Sequence, residues 1–366
     1  MLITAALSME VDPKGKFVLE ELELEEPRAN EIVVKTVATG ICGSDLHGRG
    51  VPFPRPIVFG HEGAGVVAAV GSAVTKLQVG DHVLLNYLAC GKCRVCVSGK
   101  PKLCPSNSLL NHSGGRADGT TGLSRNGEVV YGQFFGQSSF ATHCIANEQQ
   151  ATKLDPAFDL TLAPALACGV QTGAGAVLNG LKPSPGSSLL TTGTGAVGMA
   201  AVMMARILGC TTIIAVDVSA ERLALAQEIG ATHVINSRET DDLAAAVRQI
   251  VPDGVDYAVE ASGRIDVAES AIQSVTKGGS VALLGIDPSG AKFSVSLQQM
   301  ALSGISISGF PGGLAVPDDM VPRLIELHAR GQFPVDKLVA RFPFEQINEA
   351  AEAASSGRAI KPVLVF

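Results

Sequence analysis

Four of the eight cysteines lie close together in the chain, at Cys90, Cys93, Cys96 and Cys104. The spacing C-x2-C-x2-C-x7-C allows four thiolates to surround one tetrahedral ion without help from distant residues. The stretch is polar and cannot bury a core of its own, so a bound metal is what would hold it together. An iron–sulfur cluster is the alternative occupant. A closed four-thiolate site in a polar lobe favours structural zinc.

A second group of metal-binding residue types is spread along the chain. Cys42 begins the run Cys-Gly-Ser-Asp-Leu-His, His61 lies in a Gly-His-Glu turn, and Cys168 precedes a stretch rich in Gly and Ala. Each has an ordinary structural interpretation, because a lone cysteine is usually a small core residue and a lone histidine can cap a loop. Spacing alone does not bring these three residues together.

Residues 188–198 combine an apolar strand, a Gly-x-Gly-x-x-Gly turn and the start of a helix. Gly193 permits the tight turn, Gly195 lets a pyrophosphate approach the backbone, and Gly198 lets the helix pack closely on the strand. Asp217 ends the next apolar run. A carboxylate there accepts hydrogen bonds from the ribose hydroxyls and repels a 2′-phosphate, which predicts NAD rather than NADP. Capping the following helix is the alternative role for Asp217.

The elements that position these residues change in character along the chain. Up to about residue 150, short β-like runs are broken by Gly and Pro. From about Pro156 to residue 310, apolar strands alternate with Ala-rich helices, which is typical of a parallel sheet with crossover helices. The fold class is therefore α/β, with a doubly wound domain interrupting a β-rich one. The predicted strands are 31–37, 65–70, 81–85, 188–192, 212–216, 255–259, 280–284 and 362–366, and the predicted helices are 196–208, 220–229, 240–250, 318–330 and 344–355.

Composition excludes several classes of protein. The 366 residues are 46% hydrophobic with a net charge of −7, so the chain has ample core material and no basic surplus for binding nucleic acid. No run approaches the ~20 apolar residues of a membrane span, and acidic residues stand where a signal peptide needs a basic end. We therefore expect a cytoplasmic protein without nucleic-acid or membrane partners, in which clustered cysteines bind metal rather than form disulfides.

Together these motifs resemble those of the zinc-dependent alcohol dehydrogenases of the medium-chain dehydrogenase/reductase superfamily, over essentially the whole chain. The resemblance implies that Cys42, His61 and Cys168 bind a catalytic zinc, which with the four-cysteine site makes two zinc ions per subunit. Cys144 and Cys210 are left as core residues.

The resemblance also implies a two-domain organisation. Residues 1–169 and 311–366 would form a GroES-like, β-rich catalytic domain carrying both zinc sites. Residues 170–310 would form a Rossmann domain that binds NAD. In this family the subunits assemble into homotetramers or homodimers.

Further roles follow from the resemblance. Ser44 would hydrogen-bond the substrate oxygen and His47 would relay the proton to water, since its ordinary pKa suits a shuttle; a surface loop histidine is the alternative for His47. Asp45 and Glu62 would support the ligands beside them. The remaining cofactor contacts would be Thr172 and Val197 behind the nicotinamide, Arg222 at the adenosine ribose and Lys361 at the pyrophosphate. The substrate pocket would be lined by Asn86, Tyr87 and Leu110.

The subgroup within the superfamily is indicated by two features. Polyol and threonine dehydrogenases usually lack a cysteine at the position of Cys168, so its presence favours the alcohol dehydrogenase branch. Residues 134–143 resemble aryl (benzyl) alcohol dehydrogenases. We expect NAD-linked, reversible oxidation of a primary aryl or allylic alcohol to the aldehyde. A polyol or secondary-alcohol dehydrogenase, a glutathione-dependent formaldehyde dehydrogenase and a non-catalytic NAD-binding zinc protein are the alternatives.

Overall fold

The computed structural model describes residues 1–287 and 289–366. The β-strands are, in chain order, β1 (Leu2–Ser8), β2 (Phe17–Leu24), β3 (Glu31–Gly40), β4 (Ile57–Val58), β5 (Gly63–Val70), β6 (His82–Leu85), β7 (Leu123–Arg125), β8 (Glu128–Val130), β9 (His143–Asn147), β10 (Ala151–Lys153), β11 (Ser188–Thr192), β12 (Thr212–Asp217), β13 (His233–Asn236), β14 (Val255–Glu260), β15 (Val275–Leu283), β16 (Ser306–Gly309), β17 (Val339–Pro343) and β18 (Lys361–Val365). The α-helices are α1 (Gly43–Gly48), α2 (Arg94–Val97), α3 (Asn107–Asn111), α4 (Gly169–Gly175), α5 (Ala196–Ile207), α6 (Ala220–Ile229), α7 (Leu243–Ile250), α8 (Ile265–Ser274), α9 (Leu297–Ser303), α10 (Pro317–Ala329) and α11 (Ile347–Ser355).

The chain divides into two compact units. Unit 1 comprises Met1–Cys168, Val316–Arg323 and Val335–Phe366, and unit 2 comprises Gly169–Ala315 and Leu324–Pro334. The α/β fold class is confirmed, with β-rich and doubly wound parts where the sequence predicts them.

The two compact units differ from the predicted bounds after residue 310, because residues 311–315 and 324–334 group with unit 2. The backbone of Gly313 packs directly on α4, where its carbonyl oxygen would lie 2.5 Å from a Cβ added at Gly175. Leu324 and Phe333 are fully buried. These stretches are therefore parts of a packed core rather than a linker.

Unit 1 is built on two largely antiparallel sheets. One has the strand order β4-β1-β2-β7-β8, and the other has the order β10-β6-β5-β3-β18-β17 with β9 also paired to β3. Strand β3 is the organising element of the second sheet because it pairs antiparallel with β5, β9 and β18. The C-terminal strand β18 thus lies beside the first part of the chain. Because β3 and β5 are paired, the segment that follows β3 lies next to the segment that precedes β5.

Unit 2 contains one six-stranded parallel sheet with the order β13-β12-β11-β14-β15-β16. The order of chain connection reverses between β11 and β14, and in doubly wound folds ligands bind at the carboxyl ends of the strands at such a point. The predicted helix 240–250 begins later, at Leu243 of α7, because the Asp242 side chain accepts a hydrogen bond from the Ala245 amide and caps it.

The cores of the units are aliphatic and, in unit 1, also aromatic. Cys144 and Cys210 are buried, as predicted, and burial raises the pKa of their thiols to about 12 and about 11. They are therefore inert fillers of the core. Among the described helices, none is long and apolar enough to cross a membrane.

Candidate active site

Residues far apart in the sequence meet at one point of unit 1. Cys42 lies between β3 and α1, His61 lies just before β5, and Cys168 ends the first segment of the unit. The ligand atoms of these three residues and of Glu62 lie within 4.8 Å of one another. The sulfurs of Cys42 and Cys168 are 4.0 Å apart, and two sulfurs bound to one tetrahedral zinc at about 2.3 Å would be about 3.8 Å apart. The fold therefore brings together three residues that spacing in the sequence alone does not connect. Two cysteine sulfurs and one imidazole nitrogen form a set of ligand atoms that fits zinc.

The imidazole of His61 is oriented for metal binding. Its Nδ1 lies 2.9 Å from Oδ1 of Asp45, and both side chains are almost completely inaccessible to solvent. A carboxylate accepts, so Nδ1 carries a proton and Nε2 is the ring atom left for a metal. In the described part of the chain, Nε2 is buried and has no hydrogen-bond partner. A buried polar atom without a partner is costly, and a metal ion would satisfy this one.

Asp45 also fixes the backbone around the other side of the site. Its Oδ2 accepts a hydrogen bond from the Cys42 amide at 2.9 Å, and its Oδ1 accepts one from the Gly60 amide at 3.1 Å. One carboxylate therefore braces the segments that carry two of the three ligands. The position of Asp45 in the sequence predicted that it supports the ligand beside it. Its contacts with the segments of both Cys42 and His61 are visible only in the structure.

Glu62 forms a buried ion pair at the edge of the site. Lys361 Nζ donates to Oε1 at 2.7 Å and to Oε2 at 2.8 Å, and both residues are 2% exposed or less. Burial alone would lower the pKa of Lys361, but the Glu62 carboxylate raises it, so the lysine is charged. The partner that the structure shows for Lys361 is thus Glu62, and its contact with a pyrophosphate stays a prediction. Because β18 lies beside β3, the lysine is delivered to Glu62 in the interior of unit 1.

A loop of residues 133–138, called the aromatic loop below, packs against the imidazole of His61. The ring of Phe135 stacks on His61 with centroids 4.4 Å apart, and Phe134 meets the same imidazole edge-on at 5.7 Å. The buried amide of Gln137 donates to the His61 carbonyl at 2.9 Å and accepts from the Gly63 amide at 3.0 Å. In the sequence this segment shows a family resemblance, but no pattern in it indicates a role for Phe134, Phe135 or Gln137. These contacts depend on the conformation of the loop, which no local sequence pattern predicts.

The loop holds its shape against local backbone preference. Gln133, Phe135 and Ser138 all have left-handed φ values, of 58°, 51° and 58°, which non-glycine residues adopt only when their surroundings require it. The Ser138 hydroxyl accepts from the Phe134 amide at 3.0 Å and donates to the Val58 carbonyl at 2.6 Å. These bonds help to offset the strain.

The predicted relay residues lie on the short helix α1. Ser44 is half-buried and His47 is exposed, and residues three apart on a helix lie on the same side. The helix therefore places a hydroxyl near the ligand Cys42 and an imidazole nearer to water. Their roles in proton transfer remain predictions.

The four-cysteine lobe forms a second metal-binding group. One sulfur from each of Cys90, Cys93, Cys96 and Cys104 lies within 4.8 Å of the others. The Cys93 sulfur accepts a hydrogen bond from the Cys96 amide at 3.4 Å and caps α2. Backbone amides of Lys92 and Cys93 lower the pKa of the Cys90 thiol to about 6. Since metal ligands must be thiolates, this chemistry suits zinc.

The three predicted pocket residues lie in different surroundings. Asn86 is fully buried, and its amide donates to the Leu84 carbonyl at 3.3 Å and to the Thr152 hydroxyl at 3.4 Å. It therefore supports the loop after β6 and does not line a pocket, which corrects that prediction. Tyr87 and Leu110 are half-buried. Tyr87 packs against the Phe cluster of unit 1, and Leu110 lies on α3.

The glycine-rich turn of unit 2 leaves room for a ligand at the expected place. A Cβ added at Gly198 would lie 1.9 Å from the Gly193 carbonyl oxygen, so that glycine is required by internal packing. A Cβ added at Gly195 would meet nothing within 4 Å. Gly195 also caps α5, and the amides at a helix N-terminus bind anions. The open space at this position is a cradle that fits a pyrophosphate.

Asp217 lies at the end of β12 as predicted, but its carboxylate turns toward the glycine-rich turn. Oδ2 accepts from the amide and hydroxyl of Thr194, both at 2.7 Å, and Oδ1 accepts from the Val218 and Ser219 amides. Burial would raise its pKa, but these hydrogen bonds, with Arg222 nearby, lower it. The alternative role of helix cap belongs to Ser219, whose hydroxyl accepts from the Arg222 amide. Asp217 is thus a fixed negative charge beside the turn.

Thr172 and Val197 are brought together by helix packing. Helices α4 and α5 approach so closely that a Cβ added at Gly173 would lie 1.9 Å from the Val197 carbonyl oxygen. Both Thr172 and Val197 remain half-buried rather than enclosed. Their predicted contact with a nicotinamide stays a prediction.

Comparisons with known proteins agree with this geometry. A family model described as an alcohol dehydrogenase GroES-like domain matches residues 28–156, and one described as a zinc-binding dehydrogenase matches residues 196–330. The chain is 39% identical over 354 residues to a geraniol dehydrogenase from Castellaniella defragrans, covering 96% of this chain and 95% of that protein.

Two crystal structures are similar over the full length. An alcohol dehydrogenase zinc-binding domain protein from Burkholderia ambifaria has 45% identity and a TM-score of 0.97, with 100% of this chain and 99% of that chain covered. The benzyl alcohol dehydrogenase from Acinetobacter calcoaceticus has 38% identity and a TM-score of 0.96 at the same coverage.

The two glycines of the turn give a matched test. We expect Gly195→Ala to keep the thermal stability of the parent but to weaken dinucleotide binding at least about tenfold, because the methyl group fills the cradle. Gly198→Ala should instead lower the melting temperature, because the methyl group collides with the Gly193 carbonyl. Calorimetric titration and thermal unfolding measure the two effects. Unchanged dinucleotide affinity in Gly195→Ala would contradict this assignment.

Removal of the Asp45 carboxylate should loosen the three-residue site. We expect Asp45→Ala to lower its zinc affinity about 10- to 100-fold, because the imidazole loses its fixed orientation. Zinc retained during dialysis against a graded chelator measures the change, and the four-cysteine site in the same chain is the internal control. Equal loss from both sites would mean that the substitution acts on the fold and not on the ligand.

Proposed function

Because the chain belongs to the zinc-dependent alcohol dehydrogenases of the medium-chain dehydrogenase/reductase superfamily, we propose that it oxidises primary aryl or allylic alcohols to aldehydes, reversibly and with NAD. The observation that carries the chemistry is the buried, unpartnered Nε2 of His61 beside the sulfurs of Cys42 and Cys168. The relatives named geraniol dehydrogenase and benzyl alcohol dehydrogenase support the substrate class. Geraniol is an allylic alcohol and benzyl alcohol an aryl one.

Cys42, His61 and Cys168 are the residues that would hold the catalytic zinc. Three protein ligands are the set found in catalytic sites, which keep one position for substrate. The chemistry that zinc supplies in such a site is Lewis-acid activation of an alcohol oxygen. The protein holds the imidazole through Asp45 and Phe135 and so fixes the orientation of this ligand.

The proton of the alcohol is assigned to the residues of α1. We propose that Ser44 accepts it in a hydrogen bond and that His47, which is exposed, delivers it to water. A histidine suits this step because its ordinary pKa lies near neutral pH. The helix has both residues on the same side, one turn apart.

NAD would occupy the glycine-rich turn of unit 2. The chemistry it supplies is acceptance of a hydride from the carbinol carbon. Gly193, Gly195 and Gly198 would form the turn around its pyrophosphate, and Thr172, Val197 and Arg222 would provide further contacts. The preference for NAD over NADP rests on the negative charge of Asp217, which would repel a 2′-phosphate.

A second zinc would have a structural role in the four-cysteine lobe. Its ligands would be Cys90, Cys93, Cys96 and Cys104, which gives two zinc ions per subunit. We further propose a cytoplasmic location and a homotetrameric or homodimeric assembly. Eight free cysteines suit a reducing compartment, and light scattering of the purified protein would give the assembly state.

The division of labour between the two metal sites can be tested with Cys42→Ala. We expect this variant to retain one zinc per chain instead of two and to bind NADH as the parent does, but to lose alcohol oxidation, because only the three-residue site loses a ligand. Metal analysis and NADH titration give the first two results. Appreciable turnover with one zinc per chain would overturn the assignment of the catalytic site.

The substrate class is tested by NADH formation from a panel of alcohols. We expect benzyl, cinnamyl and geranyl alcohols to have kcat/KM values at least about tenfold above those of hexanol and sorbitol, because the conjugated aldehyde eases hydride removal and the site is aromatic. The panel should include S-hydroxymethylglutathione and be repeated with NADP. Preferred oxidation of sorbitol would indicate a polyol dehydrogenase, and preferred oxidation of the glutathione adduct would indicate a formaldehyde dehydrogenase.

A further inference from the structure

Lys102 leaves the four-cysteine lobe and points its charge toward the catalytic group of unit 1. Its Nζ lies 4.3 Å from the centre of the Tyr87 ring and 4.9 Å from the centre of the Phe135 ring. Phe135 in turn stacks on His61 at 4.4 Å. The ammonium group is thus separated from the metal-binding imidazole by one aromatic ring. Contact with aromatic rings stabilises the ammonium group, but it does not replace all of the hydration that the group loses on burial.

The stretch of chain around Lys102 is unusually basic. Residues 82–117 contain five Lys and Arg and no Asp or Glu, within a chain of net charge −7. Lys92, Arg94 and Lys100 are exposed, and Arg116 is paired with Glu31 at 2.6 Å. Lys102 is half-buried. Among the residues that the structure describes, no carboxylate lies within ion-pair distance of its Nζ.

The described residues around Lys102 supply no fixed counter-charge. His112 meets the same Phe135 ring edge-on at 4.8 Å, and burial lowers the pKa of its imidazole, which is therefore a neutral neighbour. Burial lowers the pKa of Lys102, and the thiolates of Cys168 and Cys42 oppose this shift without cancelling it. Those thiolates belong to the metal site, where bound zinc would neutralise their charge. The ammonium group is left without a counter-ion of its own.

We propose that Lys102 is a specificity-determining residue that binds an anionic substituent, a carboxylate or phenolate, on the ring of an aryl alcohol. The inference rests on the proposed function, because it places the hydroxymethyl group of that alcohol at the three-residue metal site. The ammonium group contacts the ring that stacks on His61 and is close enough to Cys42 and Cys168 for their charges to act on it, so it lies beside the group that would hold the hydroxymethyl end of the substrate. A charge-assisted hydrogen bond supplies the recognition.

The test compares benzyl alcohol with 4-(hydroxymethyl)benzoate in the zinc-loaded enzyme. We expect the parent to favour the carboxylate substrate, and Lys102→Met to lower kcat/KM for it at least about tenfold while changing benzyl alcohol less than about twofold. Lys102→Arg should restore most of the loss because it keeps the charge. Lys100→Met, which removes an exposed charge two residues away, is the matched control and should behave as the parent does.

A binding measurement separates this proposal from the proposed function. Calorimetric titration of 4-(hydroxymethyl)benzoate in the presence of NADH, which cannot oxidise it, should show an affinity that falls about tenfold in Lys102→Met. If the parent oxidises neither alcohol, the proposed function fails, and this titration still decides the role of Lys102. Parallel losses for both alcohols with unchanged carboxylate affinity, or no loss for either, would overturn the proposal.

Discussion

The group formed by Cys42, His61 and Cys168 depends on one buried carboxylate. Asp45 hydrogen-bonds Nδ1 of His61 and the backbone amides of Cys42 and Gly60, so it joins the start of α1 to the turn before β5. These bonds are mutually dependent, because the carboxylate is held by the same groups that it positions. In a low-dielectric interior such a network is stable only when each member is satisfied. The one member left open is Nε2 of His61, which is the atom that a metal would use.

The aromatic loop extends this brace to the other side of the imidazole. Phe135 covers the ring of His61, and Gln137 bonds the main chain on both sides of Glu62. The left-handed residues in the loop cost conformational energy that a purely structural connection would have no reason to carry. The loop places a rigid wall beside the imidazole, and its Phe135 ring also contacts Lys102. Ligand orientation and the shape of the neighbouring surface are therefore set by the same segment.

Local pattern predicted the elements well and the long-range contacts poorly. The strands β11, β12, β14 and β15 and the Gly-x-Gly-x-x-Gly turn follow from periodicity and glycine spacing, whereas the short strands β13 and β16 were not predicted. The meeting of Cys42, His61 and Cys168 needed a family resemblance, because their approach depends on the pairing of β3 with β5 and not on spacing. The contacts of Asn86 and Lys361 depend on long-range pairing as well. Asn86 is fully buried, and the pairing of β18 with β3 brings Lys361 to Glu62.

The ion pair of Glu62 with Lys361 bears on which residues can act as ligands. The carboxylate lies within ligand distance of Cys42, His61 and Cys168, so a four-residue closed site is geometrically available. Both of its oxygens are instead bonded to Lys361 at 2.7 and 2.8 Å. Breaking a buried pair leaves an uncompensated charge, which is strongly destabilising. The lysine therefore holds both oxygens of Glu62 away from a metal, which leaves Cys42, His61 and Cys168 as the three donors that a catalytic zinc would use.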